Sequence, residues 1–90
     1  MIVRIMGEGQ YELPQESMDR LNELDDALEA ALADEAEFRA ALTALLEAIR
    51  VSGTRLPDDE LMTSDVVLPA SDASVAEVRA LLTDEGLIPD

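Results

Sequence analysis

The sequence predicts an α+β domain that is mainly helical, with an N-terminal β-hairpin, an αα-hairpin and a short C-terminal helix. Three observations predict this fold. Two short segments suited to strands flank a Gly-x-Gly turn near the start of the chain, apolar residues then recur at helical spacing, and a Ser-x-x-Glu helix start follows later. A length of 90 residues fits one domain over residues 1–90.

The expected boundaries follow from proline, glycine and the change of hydrophobic period. We expect the β-hairpin over 1–13, the helical hairpin over 15–52, an acidic irregular segment over 53–73 and the C-terminal helix over 74–86. Within the acidic segment, Pro57-Asp58-Asp59-Glu60 predicts one helical turn. Val66-Val67-Leu68 predicts a short extended run that ends at Pro69.

The first element is a hairpin with strands over 2–6 and 10–13. Gly7-Glu8-Gly9 lies between them and supplies the positive φ angles that a tight turn requires. The alternation of side chains places Val3 and Ile5 on one face of the sheet, and Tyr11 and Leu13 also share a face. We therefore expect one face of the hairpin to pack on the helices.

The stretch "MGEGQY" also resembles the start of a phosphate-binding loop. A dinucleotide-binding fingerprint requires a third glycine three residues after the second, at the start of a helix. Here Gly9 is followed by Gln10-Tyr11-Glu12, which continue as a strand, and Glu8 would repel a phosphate. The glycines therefore predict a turn and no nucleotide cofactor.

The long helical region fits two structures. One apolar series runs through it in phase, interrupted only at Glu35: Leu21, Leu24, Leu28, Ala31, Glu35, Phe38, Leu42, Leu45 and Ile49. A single helix would be about 57 Å long and would suit a coiled-coil assembly. A hairpin turning near Ala33-Asp34-Glu35 would bury both apolar stripes against each other, with Asp34 and Glu37 as a capping pair. We expect the hairpin.

The C-terminal helix carries the clearest local signals. Ser74 and Glu77 form a capping box at its start, and Val75, Val78, Leu81 and Leu82 supply an apolar stripe. Gly86 suits the position after its last turn, with Leu87 folding back on Leu82.

The composition excludes several functions. A net charge of −15 opposes binding to nucleic acid or directly to an anionic membrane, since both need a basic surface. Cys, His and Lys are absent, so thiolate ligands are unavailable and no base of these types can activate a serine. We expect a non-enzymatic protein without cofactors, because the serines lack an activating base and the carboxylates lie in solvated runs. We expect it to be cytoplasmic, because neither a membrane span nor a secretion signal is evident.

Two dense acidic groups, Asp25-Asp26 and Asp58-Asp59-Glu60, are candidates for cation binding. Neither has the alternating ligands and central glycine of a calcium loop, so we expect no dedicated metal site. Asp19, Glu23 and Asp26 instead fall opposite the leucine stripe of the first helix. This set, called the acidic ridge below, is either a solvated surface or a binding site for a basic helical partner.

The sequence resembles the PspA-associated (PspAA) domain family over essentially its whole length. The resemblance lies in "MIVRIMGEGQYEL", the acidic Asn22-Glu23-Leu24-Asp25-Asp26 helix, "FRAALTALLEAIR", "LPDDELMTSDVVLPASDAS" and "EVRALLTDEGLIP", in this order. It implies a mainly helical interaction module of the phage-shock-type envelope stress response, without enzymatic activity.

The partner implied by the resemblance is PspA, a coiled-coil membrane-remodelling protein of the ESCRT-III-like class. This protein would then be an adaptor or regulator in membrane maintenance, recruited to the inner face of the membrane through that partner. Pairing of the edges of the hairpin would also allow a homodimer. The alternative is an acidic inhibitor that sequesters a basic regulator or mimics nucleic acid.

Overall fold

A computed structural model describes residues 1–57 and 62–81. The elements in chain order are β1 (Ile2–Ile5), β2 (Gly9–Glu12), a 3₁₀ turn (Gln15–Ser17), α1 (Met18–Ala30), α2 (Glu35–Ser52), β3 (Thr54–Arg55), β4 (Val66–Leu68) and α3 (Val75–Leu81). This architecture confirms the α+β, mainly helical prediction.

The N-terminal hairpin forms as predicted. β1 and β2 are antiparallel, with Val3 opposite Tyr11 and Ile5 opposite Gly9. The turn closes with a 3.0 Å hydrogen bond from the Glu8 amide to the Ile5 carbonyl. Gly7 has φ 85°, a conformation that costs little for glycine and more for residues with a Cβ. The Gly-x-Gly stretch is therefore a hairpin turn that continues directly into β2.

The sheet is larger than the sequence predicts, because it has four strands in the order β3-β2-β1-β4. β3 pairs antiparallel with β2, and β4 pairs parallel with β1, with Val3 opposite Val66. The prediction of an irregular segment is therefore wrong at β3, whereas the extended run predicted at Val66-Val67-Leu68 is confirmed and forms β4. A two-stranded hairpin is only marginally stable in water, and the added strands supply further pairing and buried surface. They also cover the hairpin edges on which the predicted homodimer depended.

The helical region is a hairpin, as expected. α1 ends at Ala30 and α2 begins at Glu35, and the two helices pack against each other. The Asp34 carboxylate caps α2 by accepting a 3.0 Å hydrogen bond from the Glu37 amide. The Asp34 amide donates to the Ala31 carbonyl, which keeps the chain turned between the helices. The molecule is 37 Å in its longest dimension, too short for one continuous helix over 15–52.

The core lies between the helices and one face of the sheet. The predicted shared faces are confirmed, because Val3 and Ile5 are buried with Tyr11 and Leu13. The helices and the later elements contribute the other main core residues, which are Leu21, Leu28, Phe38, Leu42, Leu45, Leu46, Ile49, Val66, Leu68, Ala73 and Val78. One mainly aliphatic core thus joins all three helices to the sheet.

α3 begins with the predicted Ser74 cap, whose hydroxyl accepts a 3.2 Å hydrogen bond from the Glu77 amide. Val78 on this helix is fully buried, so the predicted apolar stripe packs inward where it is described. Two predictions lie outside the described residues. They are the helical turn predicted at Pro57-Asp58-Asp59-Glu60, of which only Pro57 is described, and the helix end predicted at Gly86.

Candidate functional site

The acidic ridge lies on the surface of α1. Asp19, Glu23 and Asp26 are all exposed, whereas Leu21 and Leu28 on the opposite side of the helix are buried. Arg20 forms a 3.6 Å ion pair with Glu23, and both side chains are about 70% exposed. An ion pair this exposed contributes little to stability. The ridge therefore presents carboxylates to solvent and is available to a partner.

The two members of the Asp25-Asp26 pair point to different environments. Asp25 is only 2% exposed and is buried on the core side of α1, whereas Asp26 is exposed on the ridge. The two carboxylates therefore do not form a shared cation site. Within 1–57 and 62–81, no three Asp or Glu side chains are placed so that they could hold one metal ion together. The leucine spacing alone did not show that Asp25 belongs to the buried side.

A second polar cluster joins the hairpin turn to the end of α2. Both carboxylate oxygens of Glu8 accept hydrogen bonds from Arg50, one of them from Nε at 3.1 Å. Arg50 also donates to Glu47 at 3.1 Å. The Tyr11 hydroxyl donates to Glu8 at 3.2 Å, and Arg55 donates to the Glu8 carbonyl at 2.6 Å. The sequence does not predict this cluster, because Glu8 and Arg50 are 42 positions apart.

The cluster shifts the proton affinities of its members. The hydrogen bonds from Arg50 hold the pKa of Glu8 below its ordinary value of 4.5. The same contact raises the pKa of Arg50. Burial, followed by the hydrogen bond to Glu8, raises the pKa of Tyr11 above 10.0. Glu8 is therefore ionised, and its negative charge is compensated by Arg50, which joins the hairpin turn to α2.

The outer face of the sheet is partly covered by the chain that leads into β4. Gln10 is 5% exposed, and its Nε2 donates to the Met62 carbonyl at 2.6 Å and to the Ser64 hydroxyl at 2.8 Å. Asp65 accepts a 2.8 Å hydrogen bond from the Ile2 amide. These bonds fix 62–65 against the sheet and position β4.

An apolar depression of about 530 Å³ lies beside β4 and α3. We call it the β4–α3 groove; its lining includes Met6, Val67, Pro69, Ala70, Glu77 and Ala80. Met6 and Val67 are 49% and 42% exposed. The sequence does not predict this groove, because its lining comes from three separated segments that the pairing of β4 with β1 brings together.

Two further grooves lie elsewhere on the surface. One is lined partly by Glu12 and Thr54, and the other partly by Glu47 and Val51. Each of these two grooves, like the β4–α3 groove, has a single carboxylate in its described lining. None of the three therefore brings together two carboxylates for acid–base chemistry.

A family-model match shows which protein family this chain belongs to. The family model for PspA-associated protein matches residues 1–90. The chain belongs to the PspA-associated family. No curated protein and no solved structure matches it significantly.

Family membership links this PspA-associated chain to PspA and confirms the resemblance seen in its sequence segments. In the part of the chain that the structure describes, no helix has both the length and the apolar character needed to cross a membrane. Among the residues that the structure describes, the acidic ridge is an exposed charged surface and the β4–α3 groove is an exposed apolar one.

Proposed function

We propose that this protein is a non-enzymatic interaction module that binds a PspA-type coiled-coil protein and acts as its adaptor or regulator. The family description supports the link to PspA. The observation that carries the proposal is the exposure of Asp19, Glu23 and Asp26 together on the face of α1 that points away from the core. A basic helical segment is the complementary partner for such a surface.

The proposed mechanism is electrostatic competition at the membrane. A membrane-maintenance protein of the ESCRT-III-like class would meet anionic lipid through a basic amphipathic segment. The net charge of −15 makes this protein a competing anionic surface for that segment. In this proposal it acts in the cytoplasm, reaches the inner face of the membrane only through its partner, and adjusts the envelope stress response there.

The test is a binding titration with a purified PspA-type protein from the same organism. A variant with Asp19→Asn, Glu23→Gln and Asp26→Asn removes three ridge charges while keeping side-chain size. We expect about tenfold weaker binding, mainly through loss of electrostatic complementarity. The dependence of affinity on salt should also decrease, because fewer exposed charges contribute to the attraction.

A matched control removes the same amount of charge elsewhere. Glu12, Glu35 and Asp72 are exposed and lie outside α1, so Glu12→Gln, Glu35→Gln and Asp72→Asn give the same change in net charge. If both triple variants lose affinity equally, the total charge matters and the ridge is only a solvated face. If the wild-type protein does not bind the PspA-type protein at all, the proposed function is wrong.

A flotation assay with anionic vesicles separates an adaptor from a regulator. The PspA-type protein is bound to the vesicles, and this protein is then added in increasing amounts. Co-flotation of both proteins indicates an adaptor, whereas release of the PspA-type protein indicates a regulator that competes with lipid.

The second candidate is an acidic inhibitor that sequesters a basic regulator or mimics nucleic acid, and the net charge of −15 favours it. A pull-down separates the two proposals. Recovery of a DNA-binding regulator without a PspA-type protein would support the inhibitor. A homodimer also remains a prediction; since β1 and β2 are both paired on each side, it would have to form through β3, β4 or a helical face.

A further inference from the structure

The exposed apolar side chains of this protein are unevenly distributed. In the ranges 1–57 and 62–80, the large hydrophobic residues that are exposed are Met6, Val51, Met62 and Val67. Two of them, Met6 and Val67, line the same groove, although 61 positions separate them in the sequence. The parallel pairing of β4 with β1 brings them together. A concentration of apolar surface of this kind is typical of an interaction site.

The shape of the β4–α3 groove suits an inserted side chain. Its volume of about 530 Å³ and its lining of Met6, Val67, Pro69 and Ala80 provide an apolar depression open to solvent. Met6 in the lining can adjust to different aliphatic side chains, because methionine has an unbranched, flexible chain.

The charges around the groove indicate which partner it accepts. Glu77 is the charged residue in the described lining, and no arginine is part of that lining. Arg4 lies in register with Val67 but outside the groove lining. A second copy of this protein would bring another net charge of −15, which opposes self-association. A partner helix with apolar and cationic residues would fit the apolar lining and would be attracted by the net negative charge of the whole molecule.

We propose that the β4–α3 groove receives the apolar stripe of a cationic amphipathic helix, with Glu77 pairing with a lysine or arginine beside that stripe. This inference rests on the proposed function in assigning the helix to the PspA-type partner. The acidic ridge then supplies attraction over distance, and the groove supplies the short-range apolar contact that selects an amphipathic helix over any other basic chain.

The test compares two double variants that change the same residue types. Met6→Ser with Val67→Ser removes the two large exposed hydrophobic side chains of the groove. Met62→Ser with Val51→Ser removes a methionine and a valine that are exposed elsewhere. Thermal unfolding followed by circular dichroism verifies that both variants are folded before binding is measured.

Two probes are titrated into each variant by calorimetry. The first is a synthetic Leu/Lys peptide with helical periodicity, together with a peptide of the same composition in scrambled order. The second is the purified PspA-type protein. We expect the groove variant to bind the amphipathic peptide about tenfold more weakly than wild type, the control variant to stay within about twofold, and the scrambled peptide not to discriminate between them. Glu77→Gln should weaken binding by about threefold.

Methyl NMR locates the contact. The amphipathic peptide should shift the methyl signals of Met6 and Val67 more than those of Met62 and Val51. Equal binding by the groove and control variants, or methyl shifts that leave out Met6 and Val67, would overturn the inference. A wild-type dimer in light scattering that the groove variant converts to a monomer would instead assign the groove to a second copy.

The two probes distinguish failure of the proposed function from failure of the inference about the β4–α3 groove. If the PspA-type protein does not bind but the peptide selects the groove, the proposed function is wrong and the chemistry of the groove stands. If the PspA-type protein binds the wild-type and groove variants equally and the peptide does not discriminate, the inference about the groove is wrong and the proposed function stands.

Discussion

Arg50 near the end of α2 binds both carboxylate oxygens of Glu8 in the turn of the β-hairpin. The two residues are 42 positions apart in sequence, and each side chain is a little under one-third exposed. A bidentate arginine–carboxylate contact fixes orientation as well as distance. The contact therefore holds the sheet in a defined position on the helical hairpin.

A double-mutant cycle with Glu8→Gln and Arg50→Met should give a coupling energy of about 1 kcal/mol in urea unfolding. The value is modest because both side chains retain solvent contact. Glu47→Gln serves as the control, since Glu47 also accepts a hydrogen bond from Arg50 but does not belong to the hairpin. A coupling energy near zero would show that the Glu8–Arg50 contact does not position the hairpin.

The stabilisation from Glu8 should depend on pH. Because the pKa of Glu8 is lowered below 4.5 in the folded protein, its contribution is fully present above that value. It is lost as the pH falls through the lower folded-state pKa. The difference in unfolding free energy between wild type and Glu8→Gln should therefore shrink in acid. A constant difference down to the lowest accessible pH would contradict the shift.

Tyr11 should titrate above its ordinary pKa of 10.0. It is the single tyrosine and the chain has no tryptophan, so tyrosinate absorbance reports this residue alone. Glu8→Gln should lower the midpoint only part of the way, since burial is the larger cause and the hydrogen bond to Glu8 comes second. The stability that Tyr11 contributes is present below pH 10 and is lost as the pH rises through the raised folded-state pKa of Tyr11. A midpoint at the ordinary value in the folded protein would refute the prediction.

Gly7→Ala should destabilise the protein by about 1 kcal/mol. A Cβ at this position would meet no atom within 4 Å, so the cost arises from its φ of 85° and not from a clash. Gly7→Asn should cost less, because asparagine adopts left-handed conformations more readily. Urea unfolding of the two variants measures the difference. Equal stability of Gly7→Ala and wild type would show that the turn does not require this conformation.

Gly53→Ala should cost about 1–3 kcal/mol for a different reason. Its backbone is extended at φ −93°, but a Cβ would lie 2.8 Å from the Ile49 carbonyl oxygen and 2.9 Å from Leu13 Cδ2. The oxygen cannot move freely, since it accepts a hydrogen bond from the Gly53 amide. Ser52→Ala, at an exposed neighbouring position, should change the unfolding free energy by less than about 0.5 kcal/mol in the same assay.

The elements that the sequence predicts correctly are those with local signals. Gly7 marks the hairpin turn, and Asp34 and Ser74 cap the two helices that follow them. The exposure of Asp19, Glu23 and Asp26 follows from helical periodicity alone. Such features depend on residues within a few positions of one another, so they are readable without the fold.

The features that the sequence does not predict depend on distant pairing. Val66-Val67-Leu68 shows an extended run, but nothing local indicates that it pairs parallel with β1. The Glu8–Arg50 contact and the β4–α3 groove both require the assembled sheet. The burial of Asp25 is also not predicted, although it lies within α1. Asp25 flanks the leucine stripe, and the spacing of the leucines does not show which flanking residues of that stripe are buried.

The central position of β1 has a consequence for folding. Its neighbour on one side, β2, follows within a few residues, whereas Ile2 reaches Asp65 only across 63 positions. Closing such a distant contact is slow compared with forming a hairpin or a helix pair. The open edge of β1 would be available to other chains until β4 arrives. A chain interrupted before residue 66 should therefore be more prone to aggregation than the whole protein.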